Sequence, residues 1–526
     1  MPRTLLLAPA LLAPALLAPA LLAPALLTMA QPALAAPLPD VVLTGTLHDS
    51  DRATYRELPF DVPAGVTKMT IDVDGADPSK GTYLVLGVYD PQRERGWGGA
   101  IKPHITLAET FASTSYLPGP LPAGRWRLSV AVAFIKPGNV TPYKVTVHFD
   151  QGPAAQVLDP GVKKAGPGWY RGDFHVHTGQ SDAQCRSVPG GKAVPCPVWH
   201  SLKAAYDKGL DFVSVSDHNV TSHYAELAQD APYFDSMLVI PGREMTTQYG
   251  HFNLTGITDF IDFRVGGAGY PSVNAIFDAA KPTGALISLN HPEIPTGETC
   301  LGCGWSAPDT DFKRVDAIEV ANGGIAADAG GHFDDGSGSG TAWWEAQLNK
   351  GHHLTGIGGS DNHDPLDGRA GTSPVGGQSP VGMPATVVFA QNLSQRDLLA
   401  GVRSGRVFID LGGANPAHLL DMAAGVKGGP MAPMGSTLER GACLAVAGQV
   451  HVRGEKGAHV DLIVDGRHQG LPGGGAIASD EATIDFTLPA AIQARWFRAD
   501  VRGADGKRLL IGNPIYLETR KACAKP

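Results

Sequence analysis

This sequence has little positive charge to spare: 42 Lys and Arg against 51 Asp and Glu leave a formal net charge of -9 and a pI near 6.0. The long basic stripe that tracks a phosphate backbone is missing, which excludes duplex nucleic acid as the partner. A small substrate stays open, because a local metal cluster supplies positive charge that the sequence total conceals. Long apolar runs are also scarce. Beyond the N-terminus no segment stays apolar for the ~20 residues a membrane span requires. Cysteine is sparse as well, with 6 in 526 residues and no zinc-finger spacing. There is no G-x-S-x-G elbow to carry a serine nucleophile.

What the chain does have begins at the N-terminus, where Arg3 precedes a recurring LLAPA unit that runs into small residues around Ala33, Leu34 and Ala35. The prolines interrupt the apolar run and an A-x-A pattern follows, so residues 1–36 read as a cleavable secretory signal and the mature chain as periplasmic or secreted. Export makes disulfides expected: Cys185 with Cys196 across a Gly/Pro loop, Cys300 with Cys303, and Cys443 with Cys523. With 66 Gly, 42 Pro and a mean hydropathy of -0.05, the rest is a turn-rich globular chain, long enough for two to four domains.

Short alternating runs such as MTIDVDG, TYLVLGVYD and WRLSVAVAF predict an N-terminal β-sandwich over 37–157. A Gly/Pro-rich linker follows. From 165 to 412 strand-like and helix-like runs alternate, which predicts parallel strands with crossover helices and chemistry at the C-terminal strand ends of an α/β barrel. The β pattern returns over 413–526, a second sandwich. The expected fold class is therefore multidomain α/β, with a barrel flanked by two β-sandwiches.

The chemistry concentrates between residues 173 and 363. In DFHVHTGQSD a strand aims His175 and His177 at one point, since residues i and i+2 share a side, and Asp182 follows in the loop. Two imidazoles converging beside carboxylates are metal-ligand geometry. The same spacing recurs in GIGGSDNHDP, with Asp361 and His363. Between them DFVSVSDHN offers His218, GREMTTQYGHFN offers Glu244 and His251, and LISLNHPE offers His291, each ending a β-like run. Neighbours on a strand point oppositely, so His218 is the ligand and Asp217 its support, unless the backbone turns there and reverses the choice. Arg243 and His223 are candidate substrate contacts, Arg243 as a clamp for an anion. Trp343 and Trp344 read as packing, and His332, His352 and His353 as background.

Taken in order, H-x-H, D-H, a Glu-led segment, an isolated His and D-x-H resemble the motifs of the PHP (polymerase and histidinol phosphatase) superfamily. GREMTTQYGHFN, WWEAQLNKGHHLTGIGGSDNH and the terminal GNPIYLE are similar to the exported CehA/McbA-type metallohydrolases, a group that includes carbaryl hydrolases. The resemblance covers roughly 170 to 520. It implies a distorted TIM-like barrel holding two or three divalent ions (Zn, Mn or Fe). By that resemblance a first ion takes His175, His177, Glu244 and Asp361, a second Asp182, His218 and His363, and a third Glu244 with His251 and His291. Asp182 stands where many relatives carry a histidine, which shifts preference towards harder ions.

The function expected is that of a metal-dependent hydrolase in which the cations generate hydroxide from water near neutral pH, with Glu244, Asp361 and His363 as its catalytic residues. Phosphomono- or diesters of small-molecule type come first as substrates. A carboxylic ester or aryl carbamate is the alternative, and a non-catalytic glycan- or surface-binding protein a third.

Overall fold

In the computed structural model the described residues are 37–526 without 76, 100–101, 153–157, 267–268, 295–301, 329–338, 367–377, 442–443, 493 and 521–526. The expected signal (1–36), Cys300, Cys443, Cys523 and His332 therefore lie outside the described residues. Strands dominate, arranged in several sheets.

The first eight strands are β1 (Val41–His48), β2 (Thr54–Val62), β3 (Val66–Asp74), β4 (Thr82–Tyr89), β5 (Glu94–Gly98), β6 (His104–Ala108), β7 (Gly124–Ile135) and β8 (Val140–Gln151). They form two antiparallel sheets, ordered β1-β8-β3-β6 and β2-β7-β4-β5. Alternation explains why they pack: Trp126, Leu128, Val130 and Val132 of β7 are buried while Arg125 and Arg127 are exposed. Both sheets contribute to one core with Phe60, Met69, Ile71 and Leu86.

The next strand, β9 (Lys164–Val176), starts a different pattern. A short hairpin, β10 (Gln184–Arg186) and β11 (Ala193–Pro195), follows it and carries the Cys185–Cys196 disulfide. Cys303 is also disulfide-bonded. Then come α1 (Val198–Asp207), β12 (Phe212–Val215), α2 (His223–Asp230), β13 (Leu238–Thr247), β14 (Gly250–Thr255), α3 (Val273–Ala280), β15 (Leu286–Leu289), β16 (Ala317–Asn322), α4 (Gly323–Asp328), α5 (Thr341–Asn349) and β17 (Thr355–Gly359). All four residues of β12 and of β15 are buried, as expected of strands covered on both faces. Helix α3 shows how a helix is fitted between them. Ser272 caps its N-terminus, and Val273, Ile276, Phe277 and Ala280 form the buried stripe.

Pairing runs in the order β9-β12-β13-β14-β15-β16-β17. β9, β12 and β13 are mutually parallel, as are β15, β16 and β17. β14 is antiparallel to both neighbours because it returns through a tight hairpin from β13, where uniformly parallel strands were expected. The chain after β17 comes back to β9: Asp361 N–H donates to the His175 carbonyl (2.8 Å) and His177 N–H to the Asn362 carbonyl (3.0 Å).

On the other edge of β9 lie β18 (Ala385–Leu393) and, after α6 (Gln395–Arg403), β19 (Val407–Asp410). The C-terminal strands are β20 (Leu419–Val426), β21 (Ala432–Pro433), β22 (Thr437–Gly441), β23 (Val446–Arg453), β24 (His459–Val464), β25 (Arg467–Gln469), β26 (Glu481–Leu488), β27 (Trp496–Arg502), β28 (Arg508–Gly512) and β29 (Ile515–Arg520). β20, β21, β23 and β26 make a separate sheet, whereas β19 pairs with β28 and so carries the large sheet on into β27, β24 and β25. The residue-412 boundary thus falls inside a continuous sheet. Trp496, Ile511 and Tyr516 share a core with Trp344 and Leu354.

Asp173 ties three segments together at the end of β9. Its buried carboxylate accepts the N–H groups of His175 (3.0 Å), Ser360 (3.1 Å) and Gly382 (2.7 Å). Burial outweighs these bonds and pushes its pKa up to about 6. Asp173→Ala strands three buried donors, so a loss of about 3 kcal/mol or more is expected. Urea unfolding checks it, and a change below about 0.5 kcal/mol, typical of a surface substitution, contradicts this role.

Candidate metal centre

Glu244 on β13 is the hub. Its side chain is fully buried, and His175 Nε2 (3.3 Å), His177 Nε2 (3.3 Å) and His218 Nδ1 (3.0 Å) surround Oε2. His251 Nδ1 (3.2 Å) and His291 Nε2 (3.3 Å) lie against Oε1. Asp361 Oδ1 sits 3.3 Å from His175 Nε2 and 3.1 Å from His177 Nε2. Farther out, Asp182 Oδ1 is 3.3 Å from His363 Nε2 and Oδ2 is 3.7 Å from His218 Nε2.

Backbone pairing explains the convergence. His218 and Glu244 are bridged in parallel, with Glu244 N–H bonded to the Ser216 carbonyl and Asn219 N–H to that of Glu244, so both side chains point to one side. Asp217 points elsewhere, accepting from Thr178 N–H (2.7 Å) and the hydroxyls of Thr178 and Ser181 (both 2.6 Å). His291 and Asp361 have positive φ, 28° and 53°, a left-handed conformation that costs a non-glycine residue on the order of 1–2 kcal/mol and turns the ligand off its strand end.

Buried polar atoms left without hydrogen bonds test whether a cation fits. Glu244 Oε2, His175 Nε2 and His177 Nε2 are such atoms, and they converge on one another. An unsatisfied buried polar group costs about 1–3 kcal/mol, and more when charged. Several aimed at one point, from carboxylates and imidazoles, form a donor set that suits a divalent ion. Four groups could hold a metal ion: His177, Asp182, His218 and His363; His175, His177 and Asp361; His175, Glu244 and His291; and His218, Glu244 and His251. All nine sequence-proposed ligands therefore belong to one cluster, with His175, His177, His218 and Glu244 shared between groups.

The electrostatics of the cluster without a cation follow from the same contacts. Burial opposes charge on His175, yet Asp361, Glu319 and Glu244 outweigh it and hold its pKa well above the ordinary histidine value. Burial likewise opposes ionisation of Glu244, but the His175 and His218 charges hold its carboxyl well below the usual range. His363, against its burial, is lifted to about 9 by its bond to Asp182 and the Asp361 charge.

The cluster opens on one side. Asp182 keeps 58% of its side-chain surface, and His218 and His363 keep 24% and 18%, whereas His175, His177 and Glu244 are sealed. Neither proposed substrate contact reaches the cluster. Arg243, adjacent to Glu244 and so on the opposite side of β13, is buried, donates to the Asp259 carbonyl (3.0 Å) and lies over the Phe260 ring. His223, on α2, is buried with Nε2 3.0 Å from the Gly242 carbonyl and Nδ1 3.7 Å from Asp217. Trp344 is a core residue bonded to the Leu354 carbonyl. His352 and His353 pack on Phe312 and Tyr516.

Sequence reading missed the groups behind the ligands. Glu319 on β16 lies 3.0 Å from His175 Nδ1 and accepts from His291 N–H (3.1 Å) and Asn322 Nδ2 (3.0 Å). That bond leaves His175 Nε2 facing the cluster. Asn290 donates to Glu244 Oε1 (2.8 Å) and Asn322 to Asp361 Oδ2 (3.2 Å). A Cβ at Gly359 would come 2.5 Å from Glu319 Oε1, so only glycine leaves room for the Glu319–His175 pair. The available signal was a carboxylate inside the apolar run DAIEVAN, since buried charges are paired.

No family model matches the chain, and no curated protein matches it. The solved structure of the Yersinia pseudotuberculosis-derived mitogen aligns with 22% of this chain and 90% of its own at 10% identity and a TM-score of 0.14, a likeness too low to bear on fold or function.

A cation that binds this cluster displaces protons, because imidazole ligates only when neutral. With His363 protonated below about 9 in the metal-free chain, apparent Mn²⁺ affinity is expected to rise with pH from 6.5 to 9. Calorimetry in buffers of different ionisation enthalpy reads the released protons. Affinity and proton count that stay flat over that window contradict the assignment.

Proposed function

We propose that this chain is a metal-dependent hydrolase of the PHP superfamily, of the exported CehA/McbA type, acting on phosphoesters. The convergence of orphaned buried atoms on His175, His177 and Glu244 carries the reading. The seven strands β9 and β12 to β17, with the return of the Asp361–Asn362 segment to β9, support a distorted TIM-like barrel with β14 reversed. The ligands stand at its strand ends, where barrel enzymes keep their chemistry.

Two or three divalent ions fit, held inwardly by His175, His177, Glu244, Asp361 and His291 and outwardly by Asp182, His218 and His363, with His251 beside Glu244. When bound, such ions lower the pKa of water and neutralise charge developing on phosphoryl oxygens. The chain does the rest. Glu319 fixes the proton on His175 Nδ1, and Asn290 and Asn322 orient the two central carboxylates. The closed inner wall excludes water, so substrate and solvent approach past Asp182, His218 and His363. Glu244, shared between two ligand groups, would bring positive charge close together. That suits the distributed charge of a phosphoryl group better than a single ester carbonyl.

Metal-loaded protein is expected to hydrolyse p-nitrophenyl phosphate or bis-p-nitrophenyl phosphate, to lose this on chelation, and to recover it with Mn²⁺ or Zn²⁺. Asp361→Asn with His363→Ala is expected to lower turnover by about a hundredfold or more, the scale of losing one electrostatic stabiliser. Turnover of 1-naphthyl esters or carbamates alone moves the assignment to ester hydrolysis. Full activity in the double variant excludes the cluster as the active site.

A further inference from the structure

Asp182 is the ligand that packing does least to hold. More than half of its side-chain surface is open, and it sits in the turn between β9 and β10 rather than on a strand. Its approach to His363 and His218 therefore depends on the path of the backbone around it.

That path is fixed by Cys196. The Gly179 N–H donates to the Cys196 carbonyl (2.6 Å) on one side of Asp182, and the Cys196 N–H donates to the Ala183 carbonyl (3.0 Å) on the other. One residue's amide and carbonyl thus straddle the turn. The fit is flush: a Cβ at Gly179 would lie 2.3 Å from the Cys196 nitrogen. Cys196 is tied by its disulfide to Cys185, three residues beyond Asp182, and both cysteines are buried with Ala183. Between Ala183 and Cys185, Gln184 N–H donates to the His363 carbonyl (2.9 Å), joining the turn to another outer ligand. The inner ligands use none of these contacts. They stand at strand ends and are braced by Glu319, Asn290 and Asn322.

We propose that the Cys185–Cys196 disulfide is the clasp that holds Asp182 in place, so that the outer cation site of His177, Asp182, His218 and His363 is complete only in the oxidised chain. This rests on reading the cluster as a metal centre. Cys185, Cys196 and Gly179 are positioning residues and touch no substrate. A dithiol reductant passes two electrons and two protons to the cystine, giving two thiols and its own disulfide. The Cys196 strand is then free to leave Gly179, and the outer site loses its carboxylate while the inner sites keep theirs.

The test is Mn²⁺ and, in parallel, Zn²⁺ titration of the folded, metal-free full chain by calorimetry, with Asp182→Ala as the reference for a lost outer ligand. Cys185→Ser with Cys196→Ser is expected to weaken the outer class of sites about 10- to 100-fold, the scale of losing a group that orients a ligand, to match Asp182→Ala, and to leave the inner class unchanged. Outer affinity equal to that of the wild type overturns the proposal. If the double variant unfolds by circular dichroism, Gly179→Ala, with the cystine intact, decides. A weakened outer class supports the clasp, and an unchanged one overturns it. Wild-type chain that binds neither ion refutes the metal centre itself and the clasp with it. Inner and outer classes failing together in folded Gly179→Ala refute the clasp alone.

Discussion

The constraint on which the rest of the structure depends is the burial of the Glu244 carboxylate among imidazoles. Taking a carboxylate out of water costs several kcal/mol even after relaxation, and hydrogen bonds repay it only in part here. Asn290 satisfies Oε1, while Oε2 faces His175, His177 and His218 without a bond. Positive charge between these atoms resolves the deficit, as protons on the imidazoles or as a metal ion. The protonated form is a poor use of groups held so firmly. Buried partners fix Glu244, His175 and Asp361, which is the preorganisation a cation site needs.

Holding those groups requires strands from far apart in the chain to end at one place. β9 delivers His175 and His177, β13 Glu244, β14 His251, and the chain after β15 and β17 His291 and Asp361. Asp173 binds the ends of this arrangement together through three backbone amides. The left-handed backbone at His291 and Asp361 places strain at the cluster itself, where surrounding bonds to Glu319, Asn322 and His175 hold it. The N-terminal sheets pack around a core of their own. The C-terminal strands do more, sharing a core with α5 around Trp344 and Trp496.

Much of the cluster was legible because it obeys a local rule. His175 with His177, and Asp361 with His363, are i, i+2 pairs at the ends of apolar runs, and alternation chose His218 over Asp217. What escaped was whatever depends on distant partners. Glu319 showed only as a charge inside an apolar run, and nothing near Asn290 or Asn322 in sequence announces that they brace cluster carboxylates 46 and 39 residues away. Arg243 and His223 looked available because they adjoin ligand segments. The alternation that aims Glu244 inward sends Arg243 outward, and α2 turns His223 towards the Gly242 carbonyl. The reversal of β14 was invisible, since YGHFNLT alternates and buries alike in either direction. The residue-412 boundary was drawn where the β pattern returns, and the pairing of β19 with β28 crosses it.

A diffraction experiment at a metal absorption edge addresses the central claim most directly. Crystals of the chain grown with Mn²⁺ or Zn²⁺ are expected to show anomalous peaks about 2.0–2.3 Å from His175 Nε2, His177 Nε2, Glu244 and Asp361, with a further peak beside Asp182 and His363. An anomalous map without signal among these side chains, in crystals where the imidazoles still pack around Glu244, contradicts the account.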